Sequence, residues 1–265
     1  MTARSRRQLL ALFPAAAAVL GLAACSRSEA PQGAGARVVD LTHTLTHDFP
    51  YIPVPGLTFP FESIPIATVD RNGVAANRWV IHEHIGTQVD APSHFDAAGK
   101  PMDQVPIDDL VAPLAVVDLR TRTAADPDTE VTRADILDWE REHGRLPDRS
   151  AVFLYSGWES RLHDSAAFIN ADAGGAMHFP GFSVQAAEFL LRERNVVGLG
   201  VDTLSLDPGR DKDYRTHKVW LGAGKWAVEC VANLGSVPAS GATVIVGAPK
   251  VAAATGGPAR ILAMI

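Results

Sequence analysis

Four side chains that bind metals or move protons lie within residues 84–94. They are His84, Gln88, Asp90 and His94, and the four positions share one parity. In an extended segment, side chains of one parity point to one face. Pro92 and a glycine disfavour a helix here, so we expect His84, Gln88 and Asp90 on one face of a strand. The bend at Pro92 is then expected to bring His94 back toward the same site.

This group of side chains has the chemistry of a metal site. Imidazole nitrogen and carboxylate oxygen together suit a borderline divalent ion such as zinc or manganese. A single histidine in a strand is more often a hydrogen-bonded structural residue than a ligand. Two histidines and an aspartate on one face favour the metal, but their spacing alone leaves both interpretations open.

Residues 84–94 also resemble the signature of a protein family. The cyclase family of metal-dependent hydrolases, which includes bacterial kynurenine formamidases (arylformamidases) and isatin hydrolases, carries the pattern His-x-Gly-Thr-His-x-Asp-x-Pro-x-His. The segment matches every fixed position except one, because Gln88 stands where the family has its second histidine. The resemblance implies a metal-dependent hydrolase in which His84 and Asp90 are metal ligands.

The resemblance continues in the second half of the chain. Residues 200–207 resemble the family block Gly-hydrophobic-Asp-x-x-Ser, and residues 229–234 resemble Glu-x-x-x-Asn-Leu. It implies that His217 and Glu229 are further metal ligands. Gln88 is a doubtful ligand, because an amide oxygen suits zinc poorly and manganese better. We therefore expect one zinc or manganese ion, the alternative being two ions with Gln88 or water filling the gap.

The expected reaction is hydrolysis of an amide or lactam bond in a small aromatic substrate. A bound metal lowers the pKa of water from about 16 to about 7, and the resulting hydroxide attacks the carbonyl carbon. His94 is the expected general base, because histidine titrates near neutral pH, and the resemblance implies the same role. Its alternative role is that of another ligand.

Aromatic residues near the matched segments are candidate walls for a flat substrate. We expect substrate contacts from Tyr51, Phe61 and Trp79, and consider Phe59 and Phe179 in the same role. Trp158 is similarly ambiguous. For all six residues, a place in the hydrophobic core is the alternative.

Several polar residues near the matched blocks are expected to be structural. Asp202 follows a predicted strand and suits a turn, and Cys230 is expected to be a small buried group. His82 shares the parity of His84, but the family does not use that position as a ligand. Glu83 is expected to point the opposite way, into solvent or toward a partner.

The N-terminal segment has the pattern of an export signal. Arg6 and Arg7 precede an apolar stretch over residues 9–22, and the segment ends in Leu-Ala-Ala before Cys25. Residues 1–24 are therefore predicted to be a lipoprotein signal peptide, with twin-arginine character and with Cys25 as the lipidated residue. Cleavage as an ordinary signal peptide near residue 24 is the alternative. Residues 25–36 are predicted to be a flexible tether, and residues 37–265 one hydrolase domain.

Charge and cysteine content limit the partners. Removing residues 1–24 removes three arginines and changes the formal charge from −6 to −9. An acidic domain argues against nucleic acid and anionic lipid, so membrane contact is expected only through the lipid anchor on the periplasmic side. With Cys25 lipidated, Cys230 has no disulfide partner in the chain. The resemblance implies a homodimer or larger assembly around a small-molecule substrate.

The hydrophobic pattern predicts an α/β domain. Continuous apolar runs predict strands covered on both faces, over residues 38–41, 114–119, 151–155, 196–201 and 243–246. Thr132 and Asp135 form a capping box for a helix that runs to about residue 142, and Ser183 caps a second helix that runs to about residue 194. The resemblance implies a swivelling β/β/α architecture with a mixed sheet curled toward a barrel.

Two other functions compete with the hydrolase. A binding lipoprotein on the same fold, with a decayed site, would explain Gln88 and the export signal. A dehydratase or carbonic-anhydrase-like use of metal hydroxide is the third possibility. Export argues against kynurenine formation, a cytoplasmic step, and favours a small cyclic amide or ester met in the periplasm.

Overall fold

The computed structural model describes residues 37–265. The predicted signal peptide, Cys25 and the tether lie outside the described residues. The strands are β1 (Val38–Asp40), β2 (Glu62–Ala67), β3 (Ala76–Val80), β4 (Gln88–Asp90), β5 (Val111–Asp118), β6 (Glu130–Val131), β7 (Ser150–Tyr155), β8 (Gly181–Phe182), β9 (Val196–Val201), β10 (Trp226–Glu229), β11 (Ala242–Gly247), β12 (Gly256–Pro258) and β13 (Arg260–Met264). The helices are α1 (Val69–Asn72), α2 (Arg120–Ala125), α3 (Arg133–His143), α4 (Ser165–Ile169), α5 (Val184–Glu193) and α6 (Arg215–Gly222).

Nine strands form one mixed sheet in the order β1-β13-β11-β5-β7-β9-β10-β4-β12. The central strands β5, β7, β9 and β10 run parallel, and the outer pairs run antiparallel. Beyond β1, Thr42 bridges Val231, which follows β10, so the sheet curls on itself. The predicted α/β domain with a mixed, curled sheet is therefore confirmed.

Alternating side chains of the central strands pack into two cores. On one face, Leu154 and Leu199 pack with Trp139 of α3, Phe189 of α5 and Trp220 of α6. The opposite, inner face packs strand against strand through residues such as Leu114, Phe153, Val228, Val244 and Ile261. This two-sided burial explains why the central strands are continuous apolar runs. Within residues 37–265, no helix has the length and apolar character needed to cross a membrane.

The signature segment departs from the predicted strand. β4 is only three residues long, Gln88–Asp90. Gly86 has φ +76° and packs closely against Leu45, which ends the extended run before it reaches His84. The prediction that His84 lies on the strand was therefore wrong. Gly86 readily adopts this left-handed conformation, which interrupts the extended backbone between His84 and β4. His84 instead projects from the loop that precedes β4.

Candidate metal centre and active site

Two antiparallel strands place the first three polar groups together. β4 pairs with β10 so that Gln88 faces Glu229 and Asp90 faces Ala227. The amide nitrogen Nε2 of Gln88 donates to Oε2 of Glu229 over 2.6 Å. All three polar side chains are buried, Asp90 with 1% of its surface exposed. Two carboxylates buried side by side require a positive charge or donors to compensate them.

His217 supplies the facing imidazole from the first turn of α6. Asp207 accepts a hydrogen bond from the backbone N–H of Thr216 (2.6 Å) and lies 2.5 Å from Nδ1 of His217. The other ring nitrogen, Nε2, then lies 3.1 Å from Oε1 of Glu229 and 3.3 Å from Oδ2 of Asp90. A carboxylate behind a histidine is the usual way in which a metal-binding ring is oriented. Asp207 is a site residue that the sequence analysis did not assign.

His84 and His94 complete the group from the other side. Nδ1 of His84 lies 2.7 Å from Oδ1 of Asp90 and 3.3 Å from Oε1 of Gln88. A short 3-10 turn over Pro92–His94 returns His94 to the site, as the proline predicted. The rings of His84 and His94 stack with centroids 3.7 Å apart.

These residues fit a divalent metal ion. In two groups, His84–Asp90–His94 and Asp90–His217–Glu229, one ligand atom of each residue lies within 4.8 Å of the others. Asp90 belongs to both groups, because its Oδ1 faces His84 and its Oδ2 faces His217. Nitrogen and carboxylate oxygen donors in this number suit zinc or manganese.

Burial and hydrogen bonding set the charges of the site. Burial alone would raise the pKa of Asp90, but hydrogen bonds with His217 and His84 outweigh it and hold that pKa well below its usual range. Burial disfavours the charged imidazoles, yet the carboxylates raise the pKa of His84 and raise that of His217 further. Burial and the charge of Asp90 raise the pKa of Glu229. The lone pairs that face one another here therefore attract a cation, either a proton or a metal.

His94 differs electrostatically from its neighbours. Burial lowers its pKa to about 4; Asp90 opposes this shift, while the positive charges of His84 and His217 add to it. His94 is therefore neutral at pH 7 and has a free lone pair. A neutral imidazole beside a metal site is suited to accept a proton.

A cavity of about 530 Å³ opens onto this polar group. One wall is an apolar loop that includes Tyr51, Ile52 and Leu57, and the other includes Phe95 and Tyr214. The volume is that of a typical small-molecule pocket. Tyr51, a predicted substrate contact, therefore lies on the wall of this cavity.

The other predicted aromatic walls lie elsewhere. Trp79, on β3, is 68% exposed, and Phe61 precedes β2 and packs edge-on against it. Neither residue lines the cavity, because the β2–β3 hairpin carries both outside it. Their assignment as walls is therefore corrected for the single chain. Phe179 and Trp158 are fully buried in a core cluster, so the core alternative holds for them.

Of the four residues expected to be structural, Asp202 and Cys230 are found in such roles, and His82 and Glu83 line the cavity. Asp202 is buried and accepts hydrogen bonds from the backbone N–H groups of residues 156–158; burial raises its pKa to about 6. Cys230 is buried beside Glu229. His82 lines the cavity, packing edge-on against Tyr51. Glu83 is paired, as one of the two expected alternatives, but its partner Thr255 touches His84 and Glu83 itself lines the cavity.

Comparisons with known proteins show the family to which the chain belongs. A family model described as "Putative cyclase" matches residues 39–208. The chain belongs to the cyclase family. Isatin hydrolase from Roseibium aggregatum is 34% identical over 242 residues, which cover 86% of this chain and 91% of the relative.

Two further cyclase-family members extend the comparison. Kynurenine formamidase from Paracidovorax citrulli is 28% identical over 137 residues, covering 51% of this chain and 55% of that protein. The solved structure of isatin hydrolase A from Labrenzia aggregata, bound to benzyl benzoate, superposes with a TM-score of 0.81 at 36% identity. The superposed residues cover 86% of this chain and 93% of the chain in that structure. The predicted cyclase-like architecture is thereby confirmed.

Proposed function

We propose that this chain is a metal-dependent hydrolase that opens an amide or lactam bond of a small aromatic substrate. The observation that carries the proposal is the donor set at the floor of a cavity, with neutral His94 beside it. Half-buried His84 and buried Asp90, His217 and Glu229 form this set. The names of the relatives, isatin hydrolase and kynurenine formamidase, support the same class of bond.

The residues divide the work of such a reaction. A zinc or manganese ion held by the donor set would activate a water molecule and polarise the carbonyl group. His94 accepts the proton of the attacking water and passes it to the leaving nitrogen, since its low pKa keeps it unprotonated at neutral pH. His84, stacked on His94, keeps that ring beside the reacting atoms.

The cavity favours a flat, compact substrate. Tyr51 and Phe95 are aromatic lining residues, and Ile85 and Leu204 add aliphatic surface. A cavity of about 530 Å³ accommodates a one- or two-ring molecule. An aryl amide or a ring-fused lactam presents a carbonyl to the donor set and an apolar ring to these walls.

The test is a hydrolysis panel with measured metal content. Protein reconstituted with Mn²⁺ or Zn²⁺ is assayed on isatin, N-formyl anilines and lactones, and metal per chain is measured by mass spectrometry. The proposal expects turnover on at least one carbon–nitrogen substrate and loss of turnover after chelation. Bound metal without turnover on any substrate would contradict it and favour the binding lipoprotein.

A variant separates the two roles considered for His94. His94→Ala should abolish turnover while the metal content persists, because the base is lost and the other donors remain. Loss of the metal in this variant would make His94 a ligand instead. His163→Ala, at an exposed histidine far along the chain, is the matched control and should leave both quantities unchanged.

A further inference from the structure

Thr255 lies directly before β12 and touches the histidine side of the site. Its hydroxyl oxygen Oγ1 lies 3.0 Å from Nε2 of His84. The same hydroxyl hydrogen-bonds to the carboxylate of Glu83, and the backbone N–H of Thr255 donates to that carboxylate over 3.0 Å. The carbonyl oxygen of Thr255 accepts from the N–H of Ala91, just beyond β4. Thr255 is thus held between the signature segment and Glu83.

The proton count assigns the hydrogen-bond directions. A threonine hydroxyl has one proton, and an ionised carboxylate only accepts. The proton of Thr255 therefore goes to Glu83, and the hydroxyl oxygen is left to accept from N–H at Nε2 of His84. A histidine binds a metal in its neutral form, and in that form of His84 the lone pair then lies on Nδ1. That nitrogen is the one that faces Asp90 at 2.7 Å and Gln88 at 3.3 Å.

We infer that Glu83 and Thr255 are positioning residues that select the tautomer and ring orientation in which His84 offers Nδ1 to a metal. The inference rests on the proposed metal-dependent function and adds two residues to it. Outer partners of this kind change metal affinity by roughly 10–100-fold. Both residues line the cavity, and their hydrogen bonds reach the donor set through His84.

The surroundings leave this hydrogen bond to decide the orientation. His94 stacks on one face of the His84 ring. On another side, a Cβ added to Gly256 would lie 2.8 Å from Cε1 of His84, so the backbone of β12 is already in close contact. Packing of this kind fixes the plane of the ring but does not distinguish one ring nitrogen from the other. Polar partners supply that distinction: Thr255, held by Glu83, favours N–H at Nε2, which leaves Nδ1 to face Asp90.

The experiment measures the affinity of metal-free protein for Mn²⁺ by titration calorimetry. Thr255→Val keeps the shape of the side chain but removes the acceptor, and should weaken binding by about 10–100-fold. Thr255→Ser restores the hydroxyl and should restore wild-type affinity, which a purely steric role would not predict. Glu83→Gln should also weaken Mn²⁺ binding. Its amide group can donate a hydrogen bond to Thr255 and so reverse the direction of the hydrogen bonds that run from His84 through Thr255.

The control removes a different anchor of the same loop. Asp103 accepts from the backbone N–H of Ala253 over 3.1 Å without touching His84. Asp103→Ala should therefore leave Mn²⁺ affinity unchanged. Wild-type affinity in Thr255→Val, or equal weakening in Asp103→Ala, overturns this inference alone. Failure of the wild-type protein to bind Mn²⁺ or Zn²⁺ overturns the proposed function and this inference with it.

Discussion

At the scale of single residues, Gln88 makes contacts on two sides. Its amide nitrogen donates to Glu229, and its amide oxygen lies 3.3 Å from Nδ1 of His84. The side of the amide that faces Glu229 is a donor and has no lone pair for a metal. A histidine at this position, as in the family signature, would present a ring nitrogen instead. We therefore propose that Gln88 limits the site to one ion.

We expect Gln88→His to raise the bound metal from about one ion per chain toward two, since an added imidazole completes a second set of ligands around Asp90. Metal per chain after dialysis is the measurement. Gln185→His, on the exposed side of α5, controls for adventitious binding to a new histidine. An unchanged number of ions per chain in Gln88→His would contradict the proposal that Gln88 limits the site to one ion.

The raised pKa values of the site histidines predict how stability depends on pH. The carboxylates around His217 raise its pKa in the folded protein well above 6.5, and the pKa of His84 is also raised. A raised folded pKa stabilises the fold fully below the unfolded value, and this contribution is lost as pH rises through the folded pKa. Metal-free protein should therefore lose thermal stability as pH rises above about 6.5.

The metal-loaded protein is the comparison for this measurement. A bound cation replaces the protons between the facing lone pairs, so the alkaline loss should become smaller or vanish. Melting temperatures of the two forms between neutral and alkaline pH test this directly. Equal pH dependence with and without metal would contradict the account.

At the scale of elements, the sequence predicted three of the four central strands, β5, β7 and β9, and the two long helices well. Residues 196–201 are β9 as expected. The capping box at Thr132 and Asp135 is present at the start of α3. These elements are recognisable because burial on both faces and end-capping leave local patterns in the sequence. The β2–β3 hairpin carries no such pattern, since none of its strand residues is buried.

The candidate site was only partly predictable for the same reason. His84, Asp90 and His94 lie close together in sequence, and their spacing is visible. Thr255 meets Glu83 across 172 positions, a contact that only the pairing of β12 with β4 creates. Family resemblance supplied His217 and Glu229, because no local pattern links α6 and β10 to the signature.

The turn at Gly86 gives an element-scale prediction. Gly86→Ala forces a Cβ into a left-handed position 3.0 Å from Cδ1 of Leu45. It should cost about 1–3 kcal/mol of stability and weaken metal binding, because His84 projects from this loop. Gly224→Ala is a matched control, with φ +77° and open space around the added Cβ. It should lose stability but keep wild-type metal affinity.

Urea denaturation gives the stability of both glycine variants, and calorimetry gives their Mn²⁺ affinity. A weakened site in Gly224→Ala would show that backbone strain anywhere lowers the affinity. Wild-type affinity in Gly86→Ala would show that the loop does not position His84.

At the scale of the whole molecule, export and lipid anchoring remain proposals that rest on residues 1–25. When the full chain is made in a bacterium, the wild-type protein should partition with membranes and carry a lipid mass, whereas Cys25→Ser should lose both. Cys230→Ser is the matched control, because Cys230 is the only other cysteine. Wild-type protein found unmodified in the soluble cytoplasmic fraction would contradict the proposal.

The central claim is that the buried donor set holds the metal on which hydrolysis depends. Asp90 belongs to both ligand groups, so Asp90→Asn tests the claim most directly while preserving the size of the side chain. The measurement is metal per chain together with turnover, on protein shown by circular dichroism to be folded. We predict that folded Asp90→Asn loses both its metal and its turnover. Wild-type metal content and turnover in that variant would contradict the claim.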